Sequence, residues 1–125
     1  MKSKNINVMP EVFNLGWDYG FNPLTAKAIK ELKEEVLLKL TEEDLQFFKQ
    51  LKVAKYPEKI KNPYSGIEVE LEPIAVALHD FIKGAEYILN SDAIGSGLKI
   101  IQEHYDYAMM LFVKLWPKEY MILLN

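Results

Sequence analysis

Two histidines limit the chemistry open to this chain. Glu103 and His104 sit next to each other, with Asp106 close by. Adjacent positions on a helix point about 100° apart, so Glu103 and His104 cannot clamp one ion together. The His-x-x-x-His and Glu-x-x-His spacings that place metal ligands on one helical face are missing. Lys99, Glu103 and Asp106 read instead as the edge of a helix that meets water. His79 aligns at helical spacing with Lys83, Glu86 and Asn90, and reads as a surface histidine on a solvated stripe. There is no cysteine, which removes disulfides, thiolate nucleophiles and thiolate metal sites together.

His79-Asp80 matches the metal-binding dipeptide of HD-type phosphohydrolases, but those sites need a further histidine upstream and none precedes position 79. Ala93-Ile94-Gly95-Ser96-Gly97-Leu98 would open a helix and could offer N–H groups to a phosphate. It follows a helix rather than a strand, and it has neither a third glycine nor a lysine at P-loop spacing. It therefore reads as a connection. No catalytic residue, cofactor site or metal site can be assigned, and the expectation is a protein that is not an enzyme.

Two residue sets remain as candidate contact surfaces. Lys49, Lys52, Lys55, Lys59 and Lys61, interleaved with Phe47, Phe48 and Tyr56, form a basic cluster suited to a nucleic-acid backbone. Glu58 tempers it. Trp17, Tyr19, Phe21, Trp116, Tyr120 and Met121 are large groups gathered near the two ends, and such groups are enriched at the centres of protein interfaces. A protein partner or self-association is the main expectation, nucleic acid is the alternative, and no membrane contact is expected. The longest apolar run, Tyr107 to Val113, is far shorter than the roughly 20 residues a helical span needs.

These residues need elements to hold them. Residues 1–21 show no helical or strand period and read as an extended arm. A helix begins at Asn22-Pro23, a cap residue followed by proline in the first turn. Leu24, Ala28, Ile29, Leu32, Val36 and Leu40 form its apolar stripe through position 40. Thr41 reads as the cap of a second helix that ends near Ala54, with Glu42, Glu43 and Asp44 at the positive end of its dipole. A turn over Pro63 to Gly66 sets Lys61 opposite Glu68, Ile60 opposite Val69 and Lys59 opposite Glu70, predicting a small hairpin over about 59–71. Pro73 starts a third helix with Ile74, Ala77, Leu78, Phe81, Ala85 and Ile88 inward. A fourth, Leu98 to Leu115, is apolar almost all round, as befits the middle of a fold or an oligomer interface. Pro117 opens a short last helix. The fold class is mainly α: a compact single domain of four main helices, a short C-terminal helix and one small β-hairpin.

Length and charge agree with this. A chain of 125 residues, half of them hydrophobic, can bury roughly two thirds of its unfolded surface and needs no disulfide or metal staple. The net charge is −3, and every one of the 15 basic residues is lysine. The expected reason is an AT-rich genome, which favours lysine codons. The consequence is that no guanidinium fork is present for bidentate phosphate or guanine recognition. The N-terminal sequence has two lysines but no apolar stretch after them, so it does not read as a signal peptide. A cytoplasmic or intravirion protein is expected.

Asn62-Pro63-Tyr64-Ser65-Gly66-Ile67-Glu68-Val69-Glu70-Leu71, then Leu78-His79-Asp80-Phe81-Ile82-Lys83-Gly84, then Trp116-Pro117-Lys118-Glu119-Tyr120-Met121 resembles a group of short bacteriophage and prophage proteins of uncharacterised function. The resemblance spans about residues 60–125. It implies a phage or mobile-element origin and no particular activity, because its motifs are a turn, a helix start and a terminal cap. The expectation that follows is a non-enzymatic, protein-binding accessory protein, either a small virion component or a modulator of a host factor.

Overall fold

The computed structural model describes residues 22–124 apart from 92–94 and 96. The expected N-terminal arm, with Trp17, Tyr19 and Phe21, lies outside these residues. The described chain is mainly helical, with six helices and one antiparallel hairpin: α1 (Pro23–Lys30), α2 (Glu34–Leu37), α3 (Glu42–Phe48), β1 (Glu58–Lys61), β2 (Glu68–Leu71), α4 (Pro73–Leu89), α5 (Gly97–Leu115) and α6 (Pro117–Leu123).

The first helix starts as expected. Asn22 Oδ1 accepts from the Leu24 N–H at 2.8 Å, and Pro23 occupies the first helical position. It then stops ten residues early, because Lys33 is extended at φ −64° and ψ 149°. No glycine or proline marks this break. The re-aimed chain of α2 buries both Val36 and Leu37, at 4% exposure each. Burial in the core therefore overrides an unbroken sequence period, and Leu24, placed inward by that period, stands 39% exposed. The helix after Thr41 is also shorter than expected, closing at Phe48.

The hairpin has the expected register, with Glu58, Lys59, Ile60 and Lys61 opposite Leu71, Glu70, Val69 and Glu68. Gly66 takes φ +78°, a conformation glycine adopts without steric cost. Asn62 organises the turn. Its Oδ1 accepts from the Tyr64 and Ser65 N–H groups at 2.7 and 3.1 Å, while its Nδ2 donates to the Ile122 carbonyl at 2.7 Å. One side chain thus shapes the turn and ties it to α6.

The core centres on α4 and α5, which lie side by side. Ile74, Ala75, Leu78 and Ile82 of α4 and Ala108, Leu111 and Phe112 of α5 are fully buried, with Ile29 of α1 and Phe48 of α3 packed among them. The inward face of α4 is wider and differently centred than the expected stripe. Six consecutive residues, Ile74 to His79, are buried, whereas Phe81 is half-buried and Ile88 exposed. The first two turns of α4 are enclosed by α1, β2 and α5. On α5 burial is confined to the C-terminal half, and Ile100, Met110 and Val113 remain exposed. Among the described residues no helix is long and apolar enough to cross a membrane.

Candidate functional site

The strongest polar constellation was not apparent as a unit in the sequence. Asp44 is the third residue of α3 and is 1% exposed. Its carboxylate accepts three hydrogen bonds: from the Thr41 backbone N–H at 3.0 Å, from Tyr107 Oη at 2.5 Å and from Lys114 Nζ at 2.7 Å. The Thr41 hydroxyl in turn accepts the Asp44 N–H at 3.1 Å, completing a capping box. Tyr107 and Lys114 are seven residues apart, two turns along one face of α5, so both reach the same carboxylate. Phe47 steadies the arrangement, its ring lying 5.1 Å from that of Tyr107, 5.6 Å from Phe81 and 6.0 Å edge-on from His104.

The electrostatics follow from this geometry. Burial pushes the Asp44 carboxyl upward, but the bonds from Lys114, Tyr107 and Thr41 outweigh it and hold the group below the ordinary aspartate value. Burial, then the hydrogen bond and charge of Asp44, push the Tyr107 phenol well above its ordinary value. At neutral pH the set is a carboxylate, an ammonium and a neutral phenol, with the carboxylate engaged by three donors. Such a group acts as a clasp between α3 and α5 rather than as a base. The signal for it was faint: Tyr107 opens and Lys114 closes the longest apolar run, two polar tips at helical spacing on an otherwise apolar helix.

The histidines fall into ordinary packing roles. His79 is 9% exposed, which corrects its placement on a solvated stripe with Lys83 and Asn90; those two are exposed. The enclosure of the first turns of α4 is the reason. Its Nδ1 lies 3.2 Å from Asp80 Oδ1, and Asp80 itself faces solvent. Glu103 is exposed and His104 half-buried against Phe47. Among the described residues no three His, Asp or Glu side chains come close enough to hold a metal ion. Most of the stretch from Ala93 to Gly97 lies outside the described residues.

The aromatic set expected at an interface is divided. Trp116 is 5% exposed; its ring packs 5.7 Å from Phe112 and its Nε1 donates to Glu72 Oε1 at 2.8 Å. It is a core residue, buried because the break before Pro117 swings it inward. Tyr120 is half-buried on the core, and Met121 is 61% exposed. Trp17, Tyr19 and Phe21 lie outside the described residues.

Among the lysines, Lys52, Lys55, Lys59 and Lys61 are exposed and Lys49 half-buried. Lys55 Nζ lies 5.7 Å from the Tyr56 ring centre. Among the described residues Lys52, Lys59 and Lys61 join no ion pair.

Among the described residues the most exposed aromatic stands at the hairpin apex. Tyr64 is 96% exposed and Ile67 51%. The Asn-Pro-Tyr-Ser-Gly turn signalled the geometry, and the missed point was that a large aromatic occupied its crest. Clefts also mark the surface of the described residues. One of about 320 Å³ beside Trp116 is rimmed by Lys33, Lys39 and Lys118 and by Glu35, Glu70 and Glu119. Another, about 290 Å³, runs between α4 and α5 over Phe81, Gly84 and Ile101, with Asp80 and His104 also in its lining.

The chain matches no protein-family model, no curated protein and no solved structure.

Proposed function

We propose that this is a non-enzymatic, protein-binding accessory protein of phage or mobile-element type, acting inside the host cell or in the virion. The observation that supports it is Tyr64, nearly fully exposed on a turn whose conformation is already set. Asn62 spends three hydrogen bonds on holding that turn and anchoring it to α6, and Ser65 Oγ accepts a further one from Ile67 N–H at 3.2 Å. An aromatic anchor on a pre-ordered loop loses little conformational freedom when it enters a partner's pocket. Exposed Ile67 and Met121 flank the same Asn62–Ile122 junction along the chain and extend the apolar surface. The resemblance of residues 60–125 to short phage proteins supplies the origin.

The test is affinity capture from the native host with wild-type protein and with Tyr64→Ala. A stoichiometric protein partner retained by wild type and lost from the variant is the expected result. A wild-type protein that elutes alone, or a partner indifferent to the change, overturns the reading.

Nucleic-acid binding through Lys49, Lys52, Lys55, Lys59 and Lys61 is the second reading, favoured by the exposure of Tyr56, at 68%, among these lysines. Glu58, Glu68 and Glu70 weaken it by standing beside the same cations. Salt-sensitive binding to single-stranded nucleic acid, abolished when the lysines become glutamate, is the outcome it requires.

A further inference from the structure

Among the described residues no strand pairs with the outer edge of β1. Its other edge pairs with β2, whereas β2 also packs on α4 and α6. The Asn62 N–H donates to the Ile67 carbonyl at 2.9 Å, which sets these two at a hydrogen-bonding position of the ladder. Bonded and non-bonded pairs alternate along an antiparallel ladder. With the observed register, Ile60 therefore turns its backbone groups toward Val69, and Lys59 and Lys61 turn theirs away from β2. Two N–H and two C=O groups line the outer edge of β1, beside exposed Glu58, Lys59 and Lys61 side chains.

Charge is divided across the hairpin in the same sense. β1 and the segment that leads into it, residues 49–61, carry five lysines against the single glutamate Glu58; residues 68–72, on the inner strand and its exit, carry Glu68, Glu70 and Glu72 and no base. Anything approaching the free edge meets cations first. A second copy of this chain fits poorly, because antiparallel pairing of two such edges sets Lys59 and Lys61 against like charges. An acidic extended segment meets complementary charge on the same backbone template.

We infer that the outer edge of β1 accepts an acidic, extended segment of a partner protein as a third strand, with Lys59 and Lys61 supplying both the backbone hydrogen bonds and the charge selection. This rests on the protein-binding reading and specifies how the partner is held.

The probe is a short synthetic peptide of alternating glutamate and valine, titrated into the full chain while amide exchange is followed by NMR. The expected result is slowed exchange at the Lys59 and Lys61 amides, with Ile60 unchanged because its N–H is already bonded to β2. Lys59→Pro removes one outward N–H without touching the β1–β2 ladder, and it should weaken peptide binding about tenfold, the effect of one lost hydrogen bond. Should that variant disturb the hairpin, Lys59→Glu combined with Lys61→Glu keeps the backbone and should weaken binding by a similar factor. A peptide N-methylated at alternate residues that binds as well as the parent overturns the inference, as does binding that leaves the edge amides unprotected. Protection by oligothymidylate but not by the peptide, lost on raising salt, overturns it in favour of nucleic acid. A host partner that needs Tyr64 but still binds Lys59→Pro overturns the edge and leaves the protein-binding reading standing; failure of both partner capture and peptide binding overturns both.

Discussion

Asp44 and Lys114 are 70 residues apart in sequence and 2.7 Å apart in space, the lysine reaching from the last turn of α5 to a carboxylate buried in the first turn of α3. Lys39 adds a second tie at the same place, its Nζ donating to the Lys114 carbonyl at 3.4 Å. The short helices of the N-terminal half are thereby fastened to the long helix of the C-terminal half by polar contacts as well as by the core.

Breaking this clasp should be costly in a defined order. Asp44→Ala removes the cap and leaves Lys114 and Tyr107 without their acceptor; a loss of about 3 kcal/mol is expected. Lys114→Met should cost less, about 1 to 2 kcal/mol, because the lysine is a third exposed and water can replace part of its contact. Urea unfolding of both variants beside wild type measures the difference. Equal stability of Asp44→Ala and wild type would contradict the clasp.

The same set gives the stability a pH dependence. Asp44 has a lowered carboxyl pKa, so its contribution is complete above the ordinary value of 3.8 and is lost as pH falls through the lower, folded value. Tyr107 is shifted the other way: its contribution is complete below pH 10.0 and is lost as pH rises through its raised, folded value. The gap in thermal midpoint between wild type and Asp44→Asn should therefore hold constant from pH 5 to 8, roughly, and narrow only in acid. For Tyr107→Phe it should narrow only in strong alkali.

Trp116 is expected to behave as a core residue. Trp116→Ala should destabilise the chain by about 3 to 5 kcal/mol through the cavity it leaves. Glu72→Gln, which keeps an acceptor for the indole N–H, should cost less than 1 kcal/mol, roughly. Thermal denaturation followed by circular dichroism separates the two; a near-neutral Trp116→Ala would return this residue to the surface.

Asn62 should prove more important to the hairpin than its polarity suggests. Asn62→Ala loses the bonds to Tyr64, Ser65 and Ile122 at once, with an expected cost of about 1 to 2 kcal/mol and faster hydrogen exchange through residues 58–71. Tyr64→Ala should leave stability and exchange unchanged, since its side chain is almost wholly in water. A drop in melting temperature for that variant would show that the apex has a structural role.

Local chemistry was decided along the chain itself. Asn22-Pro23 and Thr41 start their helices through their own side chains and ring geometry, Pro73 and Pro117 open two more, and Pro63 to Gly66 with the flanking alternation set the hairpin register residue for residue. Each of these depends on groups within a few positions of one another, which is why the mainly helical class and the hairpin were legible. Tertiary structure decided the rest. The break at Lys33 has no local marker, and beyond it Val36 and Leu37 both lie in the core. His79 and Trp116 are buried because α4 is enclosed by other elements and the chain bends before Pro117, and neither fact lies in their neighbours. Asp44 looked like one of three acids at a helix start. Only the packing of α5 across α3, which brings Tyr107 and Lys114 within hydrogen-bond reach of one of those acids, makes it the buried member of a clasp.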